Sequence, residues 1–216
     1  GSDTLLGGDG NDVITDYAQA GTTEFQLISG GAGDDSISAV AGRDGFGLIE
    51  ATISGDDGSD TIFIQNVVGA VSGGSGSDSI SGFVWSYGGG FSSVSGDDGD
   101  DVITLYMGYD GANGGGGLRV YGGFGNDTIA ISGQSAVLHI DGGSGNDVID
   151  ASGVSISGPY GSSARQLLGG DGDDTITGSS LNDEVYGGLG SDRLLGGLGS
   201  DLFRGTAAEL NGDTIA

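Results

Sequence analysis

Single apolar residues recur along the chain, each with small polar neighbours on both sides. Ile14, Ile37 and Ile62 are examples, and each stands two positions after an Asp. The flanking residues are mostly Thr, Ser or Val, which suit a strand whose side chains alternate between two faces. The pattern therefore predicts short β-strands that each bury one side chain in a very thin core.

These strands belong to a nine-residue repeat with the consensus G-G-x-G-x-D-x-U-x, in which U is apolar. Glycine at the first and fourth positions predicts tight turns with positive φ, a conformation that costs other residues energy. The sixth position is Asp in every copy, and a short carboxylate beside a turn can reach a cation that turn carbonyls hold. Eleven near-complete copies begin at Gly7, Gly30, Gly55, Gly73, Gly96, Gly122, Gly142, Gly169, Gly178, Gly187 and Gly196.

Composition narrows the possible chemistry. The 216 residues include 51 Gly, 27 Asp and 4 Glu but no Lys and no Cys, and the net charge is −26. This acidity excludes a nucleic-acid binder and argues against binding to an anionic membrane surface. Without Cys there are no disulfides or thiolate metal sites. No apolar run reaches the roughly 18 residues of a membrane span, and no signal peptide is visible.

The spacing of the sixth-position Asp residues predicts an asymmetric solenoid. By the family resemblance given in the next paragraph, two nonapeptides make one turn, so a step of 9 residues crosses to the opposite edge and a step of 18 returns to the same edge. From Asp12 to Asp174 each step is 18 or slightly more, so the second half of each turn lacks the motif. We therefore expect a continuous row of Asp on one edge and irregular loops on the other, where Asp3, Asp183 and Asp201 lie only at the ends. About ten turns at about 4.8 Å give a rod on the order of 50 Å long.

The repeat resembles the RTX (hemolysin-type) calcium-binding repeat of bacterial secreted proteins over nearly the whole chain. The resemblance implies an all-β fold, a right-handed parallel β-roll (a β-helix or solenoid), with roughly 7–10 Ca²⁺ ions stacked between its turns. It implies side-chain ligands at Asp12, Asp35, Asp60, Asp78, Asp101, Asp127, Asp147, Asp174, Asp183, Asp192 and Asp201. It also implies turn ligands at the second and fourth positions, namely Gly8, Gly10, Gly31, Gly33, Asp56, Gly58, Gly74, Gly76, Asp97, Gly99, Gly123, Gly125, Gly143, Gly145, Gly170, Gly172, Gly188 and Gly190.

By the same resemblance, the protein leaves the cell by type I secretion and folds when it meets calcium outside. The chain ends at Ala216 without the family's C-terminal signal, so we expect it to be part of a larger secreted or cell-surface protein that it stabilises. We expect one roll over 1–216, with a one-sided ladder over 1–168, contiguous regular nonapeptides over 169–204 and a degenerate cap over 205–216. One helical turn is possible from Thr206 to Leu210, and the net charge favours a monomer.

Two details of the repeat leave alternatives open. Position-five residues, such as Asn11 and Asp34, either ligate the ion or support the turn. The unit that begins at Gly178 departs from the consensus, with Ser179, Ser180 and Leu181 in place of the usual residues, and this predicts a weakened or empty site.

Aromatic residues cluster on the loop side of the predicted roll. They form either a local core that pins the loops or a platform for a polysaccharide or an adhesion partner. The cluster comprises Phe83, Trp85, Tyr87, Phe91, Tyr106 and Tyr109, with Tyr17, Phe46 and Tyr160 further along the chain.

The sequence does not predict an enzyme. It contains no H-E-x-x-H, G-x-S-x-G or P-loop motif. His139 has no His, Cys or Glu at ligand spacing, so we interpret it as an ordinary strand residue. We interpret the cations Arg43, Arg119, Arg165, Arg193 and Arg204 as local charge neutralisers. Any lipase, protease or alginate-epimerase domain would lie outside this chain.

Overall fold

The computed structural model describes residues 2–18, 24–41, 49–85, 91–108, 117–134, 137–155, 165–206, 209–210 and 212–216. These residues form two ten-stranded sheets. Sheet A contains β1 (Thr4–Asp9), β3 (Glu24–Ala32), β5 (Ile49–Asp57), β7 (Val67–Ser75), β9 (Phe91–Asp98), β11 (Gly117–Phe124), β13 (Val137–Ser144), β15 (Arg165–Asp171), β17 (Asp183–Leu189) and β19 (Leu202–Arg204). Sheet B contains β2 (Val13–Ala18), β4 (Ser36–Ala41), β6 (Thr61–Gln65), β8 (Ser79–Trp85), β10 (Val102–Gly108), β12 (Thr128–Gln134), β14 (Val148–Ser155), β16 (Thr175–Thr177), β18 (Arg193–Leu195) and β20 (Thr214–Ile215).

The chain alternates between the two sheets, so one strand of sheet A and the next strand of sheet B make one coil of a solenoid. Neighbouring coils pair in parallel in both sheets, as β1 does with β3 and β2 with β4. The predicted all-β parallel roll is therefore confirmed. Parallel pairing places equivalent apolar residues of successive coils in register. The prediction of one buried side chain per strand was wrong for several strands, since β10 buries Ile103, Leu105 and Met107 because its alternate residues all face the interior.

Two edges connect the sheets. On the Asp edge, each strand of sheet A passes into the next strand of sheet B through the Asp-containing part of the repeat. On the loop edge, strands of sheet B return to sheet A, and most of these connections lie outside the described residues. Outside the described residues lie also Arg43, Phe46, Tyr87, Tyr109 and Tyr160. The side chains of Trp85 and Phe91 are not described either.

Each sheet contributes a main column of apolar side chains to the space between the sheets, and further apolar residues such as Ile64 and Leu118 are buried beside these columns. In sheet B, Ile37 is in register with Ile62, and Ile62 with Ile80, and each is at most 1 % exposed. The facing column of sheet A consists of Ile28, Ile53, Val71, Val94, Val120, Ile140, Leu167 and Val185, all buried. Because few apolar groups are buried per coil while many glycines lose conformational freedom, the core alone stabilises the roll weakly.

Strands of sheet A extend further than the repeat predicts. The sequence predicts a tight turn at the first position, but β3 continues through Gly30 and Gly31 to Ala32. The register explains the extension, since Gly8 pairs with Gly31 and Asp9 with Ala32 in the same parallel ladder. The first three motif positions are thus strand residues, and the turn itself is short.

At the C-terminal end, hydrogen bonds join Thr206, Glu209 and Leu210, the described residues of the predicted helical turn. The N–H of Leu210 donates to the carbonyl of Thr206 at 3.0 Å. The Thr206 hydroxyl oxygen accepts from the Glu209 N–H at 3.3 Å, and the Glu209 carboxylate accepts from the Thr206 N–H at 2.5 Å. This reciprocal pair is a capping box. Within the described residues there is no helix long and apolar enough to cross a membrane.

Candidate metal centre

Ten aspartates form a continuous ladder along the Asp edge. The backbone N–H of each of the first nine members donates to Oδ1 of the Asp in the following coil, as Asp12 does to Asp35 at 2.7 Å. The nine bonds measure 2.7–3.0 Å. The members of this Asp ladder are Asp12, Asp35, Asp60, Asp78, Asp101, Asp127, Asp147, Asp174, Asp192 and Asp213. The structure thus brings together nine of the predicted side-chain ligands and adds one more.

The second carboxylate oxygen of every ladder member is buried and, among the described residues, has no hydrogen-bond partner. A buried acceptor without a partner costs free energy, and a buried charge without compensation costs more. Ten such oxygens in a row are difficult to explain unless a cation compensates them. Oxygen is also the ligand type that Ca²⁺ prefers, so the ladder fits this ion.

Burial also changes the acidity of the ladder. Burial is the main reason why the pKa is raised to about 7 at Asp101 and Asp174 and to about 6 at Asp78 and Asp127. The N–H donated from the preceding coil lowers each pKa, and neighbouring carboxylates raise it again. Without a cation, the folded ladder therefore resists full ionisation at neutral pH.

The described residues contain no group of three or more His, Cys, Asp or Glu side chains that could enclose a metal. Each coil contributes one ladder carboxylate, and successive carboxylates are separated by one strand spacing of about 4.8 Å. A calcium ion at this edge would therefore need backbone carbonyl oxygens to complete its six to eight ligands.

The first glycine of the repeat is needed because the Asp carboxylate occupies the space of a side chain. A Cβ on Gly30 would lie 2.2 Å from Oδ2 of Asp35 and 2.6 Å from the carbonyl oxygen of Gly55. Gly30 does not have a positive φ, and neither does Gly7 or Gly55. The prediction of positive φ at the first position was wrong, and the physical reason for glycine there is steric exclusion by the ladder carboxylate and by the carbonyl of the next coil.

The second and fourth positions are where the backbone does adopt positive φ. Gly31 has φ 110° and Gly33 has φ 124°. Carbonyls of the preceding coil also approach closely, since a Cβ on Gly31 would lie 2.1 Å from the oxygen of Gly8. The same left-handed conformation occurs at Gly8, Gly10, Gly58, Gly74, Gly76, Gly99, Gly123, Gly125, Gly143, Gly145, Gly170, Gly172, Gly188 and Gly190. These residues form the turn predicted to supply backbone ligands, and that role stays a prediction.

Asp56 and Asp97 replace glycine at the second position and still have positive φ, 75° and 73°. Serines of sheet A hold both carboxylates. Ser54 donates to Oδ1 of Asp56 and Ser95 donates to Oδ1 of Asp97, each at 2.5 Å. Serine hydroxyls of the preceding coil donate to the two Oδ2 atoms. Because these carboxylates are engaged, any calcium ligand at these positions would be the main chain.

Position-five side chains form a second ladder beside the first. Oδ1 of Asn146 accepts the N–H of Asp173 at 2.7 Å, and the N–H of Asn146 donates to Oδ1 of Asn126 at 2.9 Å. Similar bonds join Asn11 to Asp34, Asp34 to Ser59, Asp100 to Asn126, Asp173 to Ser191 and Asn182 to Ser200. These contacts support the turn, which is one of the two roles that the sequence left open.

The loop edge carries the remaining predicted ligands. The N–H of Asp183 donates to Oδ1 of Asp201 at 3.0 Å, the same contact as in the Asp ladder. At the opposite end, the N–H of Asp3 donates instead to Oε1 of Gln26 at 2.9 Å. The carboxylate of Asp183 accepts hydrogen bonds from Ser179, so its surroundings differ from those of the ladder.

Asp213 is the ladder member that the predicted ligand set lacks. Its Oδ1 accepts the N–H of Asp192 at 3.0 Å, and its Oδ2 is buried. The sequence did contain a signal, because the step from Asp192 is 21 residues and resembles the steps of the other coils. The missing glycines of the last unit concealed it.

These features define a parallel β-roll with stacked carboxylates and glycine turns along one edge. A family model for the RTX calcium-binding nonapeptide repeat (4 copies) matches residues 1–20, 21–46, 119–130, 139–153 and 168–203, about half of the chain. The chain therefore belongs to the RTX calcium-binding repeat family, as the resemblance predicted. Repeats of this family bind Ca²⁺, and the family is typically structural and non-catalytic. No curated protein matches the chain.

Proposed function

We propose that this chain is a calcium-binding module that folds on Ca²⁺ outside the cell and stabilises a larger secreted or surface protein. The observation that supports the proposal is the Asp ladder, with ten buried Oδ2 atoms and no partner for them among the described residues. Ca²⁺ between successive coils would compensate these carboxylates, together with turn carbonyls at the second and fourth positions. Nine ladder steps give about nine ions, within the expected range of roughly 7–10.

Calcium binding and folding are coupled in this proposal. The ladder exists only when successive coils are stacked, so an unfolded chain has no preformed site. The net charge of −26 opposes compaction, and each Ca²⁺ offsets two of these charges. Extracellular calcium modules typically bind at about 10⁻⁴ to 10⁻³ M, so the chain would stay unfolded in a low-calcium cytosol and fold after export. RTX proteins are generally secreted, which agrees with this order of events.

The proposal is tested by counting the calcium ions bound to the full chain. We expect Asp101→Asn to lose at least one ion, because it removes the charge and an oxygen of a buried ladder carboxylate. Asp98→Asn is the matched control, since Asp98 belongs to the same turn but is exposed. Equilibrium dialysis with metal analysis would give both counts. Equal counts for the two variants and the wild type would contradict a role for the ladder.

A second function, binding of a neutral polysaccharide, is favoured by the outer face of sheet B. Phe83 and Tyr106 are about half exposed there, with ring centroids 5.7 Å apart. From β2 to β12 the outward residues of sheet B are uncharged, although the chain contains 31 acidic residues. These outward residues are Val13, Thr15, Tyr17, Ser36, Ser38, Val40, Thr61, Phe63, Gln65, Ser79, Ser81, Phe83, Val102, Thr104, Tyr106, Thr128, Ala130 and Ser132. Exposed aromatic rings with hydroxyl neighbours suit stacking and hydrogen bonding to sugars.

Affinity electrophoresis of the calcium-loaded chain in gels with a neutral glucan would test this second function. We expect Tyr106→Ala to abolish retardation and Tyr121→Ala, on the outer face of sheet A, to preserve it. Equal migration of the wild type with and without glucan would contradict it.

A further inference from the structure

The loop edge contains a column of residues that is structurally equivalent to the Asp ladder. Each member stands two residues before an inward-facing residue of sheet A, as Asp183 stands before Val185. Through the described coils the column reads Asp3, Gln26, Ala51, Gly69, Ser92, Leu118, Leu138, Arg165, Asp183 and Asp201. Acidic residues remain only at its ends, and Arg165 occupies the position next to Asp183.

Arg165 and Asp183 are both enclosed by the roll. They are register partners on the adjacent strands β15 and β17, and their exposed fractions are 1 % and 3 %. A guanidinium stays charged even when buried, and a buried charge is tolerated only when an opposite charge compensates it. Burial lowers the pKa of Arg165, and the nearby Asp183 carboxylate opposes that change.

The carboxylate of Asp183 is already satisfied by its own turn. Oδ2 accepts the N–H of Ser179 at 2.6 Å, and the Ser179 hydroxyl lies 2.9 Å from Oδ2 and 3.1 Å from Oδ1. In the Asp ladder, by contrast, every Oδ2 is buried without such a donor in the described part of the chain. The oxygen that a cation would use in the ladder is therefore occupied at Asp183.

The turn before Asp183 also has a different backbone conformation. In the nine ladder turns that lead to Asp12 through Asp192, the second and fourth positions have positive φ, as Gly170 and Gly172 do. Ser179 and Leu181 occupy these positions before Asp183, and neither has positive φ. The carbonyls of this turn therefore do not follow the arrangement that the ladder turns share.

We infer that Arg165 takes the place of a calcium ion beside Asp183, so that this turn binds no metal and is held by protein groups alone. The guanidinium supplies the compensating charge, and Ser179 supplies the hydrogen bonds. The inference rests on the proposed calcium-binding function and departs from the ligand set implied by the family resemblance, which includes Asp183. The interface between the coils of β15 and β17 on this edge thus requires no calcium.

Calcium counts on the full chain test the inference. We expect Asp183→Asn to bind as many ions as the wild type, whereas Asp174→Asn, on the Asp ladder, loses at least one. If the wild type binds calcium and the Asp183→Asn variant binds fewer ions, the inference is overturned, whereas the proposed function stays intact. A wild type without bound calcium would overturn both.

A double-mutant cycle provides a second readout. In saturating calcium, Arg165→Met leaves a buried carboxylate without its cation, so we expect a lower melting temperature and an unchanged ion count. Adding Asp183→Asn should restore part of the lost melting temperature, while adding Asp174→Asn should not. Failure of Asp183→Asn to restore any stability in the Arg165→Met background would contradict the pairing.

Discussion

At the scale of single residues, the glycines of the repeat serve two different purposes. Those at the second and fourth positions permit positive φ, which a sequence can indicate because glycine is the usual residue in that conformation. Those at the first position make room for the Asp carboxylate, as at Gly122, where a Cβ would lie 2.2 Å from Oδ2 of Asp127. The second purpose could not be read from the sequence, because it depends on where a side chain five residues later is placed.

This distinction predicts different effects for two alanine substitutions. Gly8→Ala meets no atom within 4 Å and only strains a φ of 107°, so we expect a loss of about 1 kcal/mol. Gly122→Ala has no such strain, but its Cβ would lie 2.2 Å from Oδ2 of Asp127 and 2.3 Å from the carbonyl oxygen of Gly142. We therefore expect a loss of about 1–3 kcal/mol together with weaker calcium binding. Urea unfolding in saturating calcium and a calcium titration would measure both. Equal calcium affinities for the two variants would contradict a steric role for the first glycine.

At the scale of elements, the family resemblance predicted the parallel strands, and the spacing of the Asp residues predicted the single Asp edge. The unit that ends in Asp213 was not recognised as a ladder turn because it has lost the glycines that mark the motif. The column that contains Arg165 was also missed, because a buried Arg at a repeat position has no sequence signal of its own. Only the strand register shows that Arg165 and Asp183 are neighbours.

The Asp ladder predicts an unusual pH dependence for the calcium-free chain. Burial raises the pKa of Asp78, Asp101, Asp127 and Asp174 from 3.8 to about 6 or 7 in the fold. A raised folded pKa means that the protonated carboxyl favours folding. This contribution is complete below about pH 4 and is lost as the pH rises through about 6 to 7. Far-UV circular dichroism of the calcium-free chain should therefore show more β-structure at about pH 5 than at about pH 8.

In the presence of calcium we expect the opposite pH dependence of folding, because the ion binds the deprotonated carboxylate and competes with protons. We expect the apparent calcium affinity to fall as the pH decreases from about 7 to about 5. The variant Asp101→Asn/Asp174→Asn is the control, and its calcium-free spectrum should respond less to pH than that of the wild type. A wild-type calcium-free spectrum that is unchanged between these pH values would contradict the account of the ladder.

At the scale of the whole molecule, a thin core and a large negative charge leave the roll dependent on its cation sites. Only a few apolar residues per coil form the core, and the ladder places ten carboxylates in line along one edge. Repulsion along this line grows as coils stack, so the gain from packing is opposed at every step. Compensation of the ladder by Ca²⁺ is therefore the event that we expect to decide whether the chain is folded.

The most direct test is a far-UV circular dichroism titration of the chelator-treated full chain with CaCl₂ at neutral pH, with MgCl₂ as the control ion. We predict a coil spectrum in the absence of calcium and a cooperative change to β-structure near about 10⁻³ M Ca²⁺. Mg²⁺ should not produce this change, because it requires stricter octahedral geometry and loses its water reluctantly. A complete β-spectrum in the chelator, unaffected by calcium, would show that packing alone specifies the fold and would contradict the central claim.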